Sequence, residues 1–189
     1  MSAILSNDLN TDVLVTVNGW SGHPVVDDAM KFAANVLIFG SFAVLAALCG
    51  RDLMARQFDR VVKVGVALGV ALVLSRVAAA LLPEQRPFTT HSDVHPLMAH
   101  DPGQSFPSDH SLAAFGIAFA VGMFFSWRWG AALTVLGAVI GFARVYAGLH
   151  YPGDVLGSAV IAAVAVASIA VVTRATPVAR LPLLGLKPV

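Results

Sequence analysis

The sequence predicts an all-α integral membrane helical bundle, with about five transmembrane helices and an N-terminal amphipathic helix lying in the membrane interface. Two observations carry this. Of 189 residues, 57% are hydrophobic and only 12% charged, where an ordinary soluble domain carries roughly 25% charge. The mean hydropathy is +0.77, and the apolar residues fall into stretches near the roughly 20 residues that a helix needs to cross a 30 Å hydrocarbon core. A chain with so few polar residues cannot cover a soluble surface, which excludes an ordinary soluble enzyme, a disordered chain and a nucleic-acid binder. The formal net charge of +1 leaves no field for a strongly charged polymer. The single cysteine, Cys49, cannot form an internal disulfide, and no Cys/His zinc spacing exists.

The elements follow in order. Residues 1–30 form an N-terminal interfacial segment and no signal peptide, because no basic residue precedes Lys31 and the apolar stretch Val13 to Val17 is too short. Leu9, Val13, Leu14, Val17 and Trp20 fall on one helical face, with Gly19, Gly22 and Pro24 breaking the helix behind it. Residues 31–175 make the transmembrane domain. Phe32 to Gly50 and Val155 to Thr173 are uncharged spans. Ser111 to Trp127 is uncharged but short, while Val61 to Leu82 and Trp129 to Leu149 are apolar apart from Lys63, Arg76 and Arg144. Small residues in the last span (Gly157, Ser158, Ala159, Ala162, Ala163) mark helix packing. Residues 176–189 are a short exposed cytoplasmic tail containing Pro177, Pro182 and Pro188.

Basic residues set the orientation. Arg51, Arg56, Arg60 and Lys63 lie between spans one and two, Arg128 between three and four, and Arg174, Arg180 and Lys187 after span five. The positive-inside rule then puts the amino terminus outside and the carboxyl terminus in the cytoplasm. Two loops share the outer face, Pro83 to Pro107 and the turn around His150.

Ionisable residues near membrane depth are costly and point to function, and they gather in those two loops. Arg86-Pro87 stands near the start of the first loop and Pro107-Ser108-Asp109-His110 closes it. Arg144 ends span four, followed by His150, Pro152 and Asp154. Ser108 is a natural N-cap for span three, and Pro152 suits the first turn of span five. Cations, histidines and a helix start with free N–H groups are what a phosphate pocket requires. The other loop histidines, His91, His95 and His100, read as solvated residues and not as metal ligands, since Asp93 and Pro96 interrupt any regular helix. Phe88, Leu97, Met98 and Phe106 are expected to dip into the headgroups or contact lipid.

Arg86-Pro87, Pro107-Ser108-Asp109-His110 and Arg144-x5-His150-x3-Asp154 resemble, in order and spacing, the three-part signature of the type 2 phosphatidic acid phosphatase (PAP2) superfamily of lipid phosphatases. Three positions depart from it. Ala79 stands where the family has lysine, Asp109 replaces a glycine, and Ala143 replaces a serine. The Asp109 variant, the small size, and Asn18-Gly19-Trp20 ahead of Asp27-Asp28 are similar to the bacterial undecaprenyl-diphosphate phosphatases of the bacitracin-resistance type.

The resemblance implies catalytic roles residue by residue. His150 is the nucleophile that forms a phosphohistidine, Asp154 orients it, and His110 is the general acid and later the base. Arg86, Arg144, Ser108 and the Asp109 backbone N–H hold the phosphate. No metal or cofactor is implied. The lipid bilayer and a membrane lipid, a polyprenyl diphosphate, are the expected partners, in the cytoplasmic (inner) membrane of a bacterium with the site facing outside. Arg76 has two readings: a replacement for the absent lysine at the base of the pocket, or a structural partner of backbone or Asp154. The rival functions are a glycerophospholipid phosphatase acting on phosphatidylglycerophosphate or phosphatidate, and a transporter or channel; clustering of ionisable groups at one face argues against the last.

Overall fold

The computed structural model describes residues 8–175, all of whose regular elements are helices: α1 (Asp8–Asn18), α2 (Pro24–Asn35), α3 (Leu37–Met54), α4 (Phe58–Leu81), α5 (Pro87–Thr90), α6 (Asp109–Phe124), α7 (Trp127–Tyr146) and α8 (Pro152–Ala175). The expected tail at 176–189, with Arg180 and Lys187, lies outside the described residues. Four segments are long and apolar enough to cross a membrane, namely Pro24–Met54, α4, α7 and α8, and α6 is a shorter apolar helix.

Helix α6 is the hub, packed against α3, α4, α7 and α8. Its sequence has no polar face, and a helix that is apolar all round belongs in an interior. Ala114, Ile117, Ala118, Ala120 and Val121 are accordingly sealed. Small residues allow the approach that this position demands. A Cβ on Gly141 would collide with Val155, and one on Gly157 with the Phe106 ring. Phe106 is therefore buried against α8. Phe88 and Leu97 pack on the buried cluster of Leu14, Val17, Val94 and Tyr146, and Met98 packs against Ala33, Ala34 and Ala143. These four loop side chains cap the loop end of the bundle; they were expected among the headgroups or against lipid.

The amino-terminal region departs most from expectation. Residues 24–35 form a helix of their own, with Pro24 in its first turn, so the break predicted around Pro24 ends within a few residues. A single residue, Val36, separates α2 from α3, and the helical segment straddles the expected boundary at residue 30. Helix α1 packs on α7 and α8. Leu14 and Val17 are buried, whereas Leu9 is 69% exposed, so only part of the predicted apolar face is used.

Polar contacts lock this region to the carboxyl-terminal end of α7. The Asn18 side chain donates to the carbonyls of His95 (3.0 Å) and Tyr146 (2.9 Å) and accepts from the His95 N–H (2.8 Å). The Tyr146 hydroxyl donates to Asp27 (2.8 Å), whose carboxylate also accepts from the Gly22 N–H (3.0 Å). Asn18 is buried, so its loss leaves the buried Tyr146 carbonyl and the part-buried amide and carbonyl of His95 without this partner. The Asn18→Ala variant should lose about 2–3 kcal/mol of stability in detergent thermal unfolding, while Leu9→Ala should match the wild type.

Candidate active site

The outer loop is shaped by its own backbone. A β-bridge pairs Gln85 with Gln104, and the Ser105 N–H donates to the Glu84 carbonyl (2.8 Å), which draws the start and end of the loop together. Arg86 precedes Pro87 and is extended (φ −66°, ψ 144°), the conformation that a following proline favours. That geometry sends its guanidinium to the second loop. Arg86 Nη1 donates to the Leu149 carbonyl (3.1 Å) and stands 3.2 Å from His150 Nε2.

The second loop is a tight turn. Gly148 has φ +71°, a left-handed conformation that side-chain-bearing residues rarely adopt, and Val94 and Asn18 crowd the place where a Cβ would sit. After this turn His150 is 2% exposed, and Pro152 opens α8 with Asp154 in its first turn, fully buried. One Asp154 oxygen, Oδ2, collects the Ser105 hydroxyl (2.5 Å), the Tyr151 N–H (2.9 Å) and His150 Nδ1 (3.3 Å). A carboxylate accepts only, so the His150 proton resides on Nδ1 and its Nε2 presents a lone pair. Burial, with the Arg144 and Arg86 charges, pushes the His150 imidazole below its ordinary value against the opposing pull of Asp154. The result is a neutral imidazole aimed at a guanidinium.

Arg144 ends α7 and is also buried. Its Nη1 donates to Asn35 Oδ1 (3.3 Å) and its Nη2 lies 3.1 Å from His100 Nε2. The Nε–H groups of both Arg86 and Arg144 are buried without a hydrogen-bond partner. Buried cationic donors with unused capacity suit an anion. Ser108 is the N-cap of α6, accepting from the Ser111 N–H (3.4 Å), and its carbonyl accepts from Ser158 (3.0 Å). Asp109 and His110 occupy the first turn of α6, with Asp109 facing outward.

Arg76 stands apart from the buried groups. Its guanidinium is 3.9 Å from Asp109, with both side chains 67% exposed. It does not reach Asp154, which Ser105, Tyr151 and His150 enclose. Sequence reasoning missed Ser105, Asn35 and His100. No spacing signals the first two, and His100, exposed as a solvated loop residue should be, also faces Arg144. Among the described residues no group of three or more His, Cys, Asp or Glu could hold a metal ion.

Comparison with known proteins identifies the family. The sequence profile of the PAP2 superfamily matches residues 60–177. Undecaprenyl-diphosphatase BcrC of Bacillus subtilis (strain 168) is 34% identical over 157 residues, spanning 82% of this chain and 79% of that protein. The putative undecaprenyl-diphosphatase YbjG of Escherichia coli (strain K12) is 38% identical over 107 residues, 55% of this chain and 52% of that one. Aquifex aeolicus LpxE, in its crystal structure, superposes with a TM-score of 0.73 at 27% identity, over 88% of this chain and 97% of its own. The PAP2-type phosphatidylglycerolphosphate phosphatase from Bacillus subtilis shares the fold, with a TM-score of 0.70 at 17% identity over 95% of this chain and 93% of its own. The chain belongs to the PAP2 superfamily and is a membrane phosphatase.

Proposed function

We propose that this phosphatase hydrolyses undecaprenyl diphosphate to undecaprenyl phosphate and inorganic phosphate, recycling the carrier lipid for cell-wall synthesis. The observation that carries the chemistry is the His150 ring, held by Asp154 at Nδ1 and facing Arg86 at Nε2. The relatives named undecaprenyl-diphosphatase favour the substrate.

In this reading His150 Nε2 attacks the terminal phosphorus, and the bond from that phosphorus to the bridging oxygen breaks. His110 protonates the departing lipid phosphate, then takes a proton from the water that cleaves the phosphohistidine. Arg86, Arg144, Ser108 and the Asp109 N–H stabilise charge on the equatorial oxygens, so no metal is required. Asp154 fixes the tautomer, and Ser105 holds Asp154. Arg51, Arg56, Arg60 and Lys63 around the α3–α4 turn and Arg128 at the start of α7, read by the positive-inside rule, support a site on the outer face of a bacterial cytoplasmic membrane, with the amino terminus outside and the carboxyl terminus inside.

Phosphate release from purified protein, across a panel of prenyl diphosphates, phosphatidylglycerophosphate and phosphatidate in excess EDTA, tests the reading. Preference for the prenyl diphosphate with no loss to EDTA is expected. Preference for a glycerophospholipid would transfer the assignment to the rival substrate, and loss of activity to EDTA would remove the metal-free mechanism.

In the same assay, His150→Ala should abolish turnover, and Asp154→Asn should lower kcat by roughly 10²–10⁴-fold. Ser105→Ala, which removes the hydroxyl that holds Asp154 and stands 3.5 Å from His150 Nδ1, should lower kcat about tenfold, ~1.4 kcal/mol of barrier, at unchanged KM. Wild-type rates in His150→Ala would exclude it as the nucleophile.

The pH profile has a definite sign. A nucleophile held neutral by burial stays active as pH falls past about 6.5, where a free imidazole would be half protonated. The acid limb of kcat/KM, corrected for the substrate's own titration, should therefore lie below that value. Removing the Asp154 charge takes away what supports the imidazolium, so Asp154→Asn should move the limb lower still.

A further inference from the structure

His100 is exposed, yet its loop is anchored and its ring has defined partners. The loop that carries it is pinned on one side by Asn18 at His95 and by the Leu97 N–H on the Ala147 carbonyl (3.1 Å), and on the other by the bridge of Gln104 to Gln85. Between these points the ring bridges two partners, with Nδ1 3.3 Å from the Asp101 carbonyl and Nε2 3.1 Å from Arg144 Nη2. A guanidinium only donates and a carbonyl only accepts, so the ring is neutral, with its proton on Nδ1. Burial and the charges of Arg86 and Arg144 favour that state. His100 thus supplies the acceptor for Arg144 Nη2 that a phosphate oxygen would supply in a complex. It also lies within electrostatic reach of His110, the residue assigned to the leaving oxygen.

Resting on the reading that the substrate is a diphosphate, we propose that His100 is a specificity-determining residue that binds the second, lipid-linked phosphate. The terminal phosphate takes over Arg144 Nη2 and frees the imidazole on the His110 side, where the lipid-linked phosphate of a diphosphate sits. A phosphomonoester places no second phosphate there. The Asp101 carbonyl keeps the Nδ1 proton, so Nε2 donates to phosphate only as imidazolium, and binding takes up one proton from solvent. The charged and titratable groups that face the ring are Arg144 of α7, Arg86 of the loop, His110 of α6 and Asp101 beside it. Phosphate charge offsets the two arginines and makes the uptake favourable.

The test compares inhibition by methylenebisphosphonate and by inorganic phosphate, using whichever lipid phosphate the wild type turns over. His100→Gln keeps an acceptor for Arg144 but cannot become a cation; His100→Ala loses both. Both variants should weaken bisphosphonate inhibition about tenfold, the worth of one charge-assisted hydrogen bond, with phosphate inhibition within twofold of wild type. His95→Ala, with its side chain exposed on the same loop, should change neither. Equal weakening for both inhibitors, or wild-type bisphosphonate inhibition in His100→Gln, would reduce His100 to a loop-docking residue and overturn the proposal. A wild type that hydrolyses only monophosphates would overturn the substrate assignment instead, and the inhibitor comparison would still decide the role of His100.

Discussion

A carboxylate sealed at the start of α8 organises the site end of this bundle. Asp154 is fully buried, and one of its oxygens gathers a hydroxyl from the end of the outer loop, an amide from the turn before α8 and the imidazole between them. Ser105 closes the long loop, while His150 and Tyr151 are neighbours in the turn before α8, so this single oxygen ties two distant segments to the start of α8. An unpaired buried carboxylate would be severely destabilising, and its three partners, with the positive end of the α8 dipole, make it tolerable. The same bonds specify the His150 tautomer. Folding and nucleophile preparation thus rest on one set of contacts.

The two arginines are arranged on the opposite principle. Asp154 is nearly saturated at one oxygen, whereas Arg86 and Arg144 each keep an Nε–H with no hydrogen-bond partner. Each also directs an Nη at a histidine nitrogen, His150 for Arg86 and His100 for Arg144. A neutral imidazole is a weaker acceptor than a phosphate oxygen bearing formal charge. The pairing holds each guanidinium in place while leaving a strong gain for an anion that displaces the imidazole. Such a site changes little in geometry on binding, as electrostatic preorganisation requires.

Much of this was legible in the sequence because it depends on local rules. The N-cap at Ser108, the proline at the start of α8, the i, i+4 relation of His150 to Asp154 and the apolar lengths of the spans are properties of short segments. What escaped depends on distant partners. Asn18 reads as a helix-end polar residue, yet it is buried against residues 77 and 128 positions away. Residues 24–35 carry Asp27, Asp28 and Lys31 and look interfacial, but Tyr146 receives Asp27 and the segment becomes helix. His100 carries no local signal, because only the pinned loop turns it toward Arg144. Arg76 was legible as a costly residue in a span but not as a partner of Asp109, which requires the register of α4 against α6.

The reach of Asn18 also bears on how the protein is made. Its carbonyl partner on Tyr146 lies 128 residues further along the chain, so the first helix emerges from synthesis long before the surface that buries it exists. Until α7 has been inserted, the amide of Asn18 must be satisfied by water or headgroups. Helix α1 also packs on α8, so its docking is a late event that closes the assembly. Contacts of such sequence separation are slow to form, and the pinning of the loop at His95 by the same side chain ties completion of the site face to that last step.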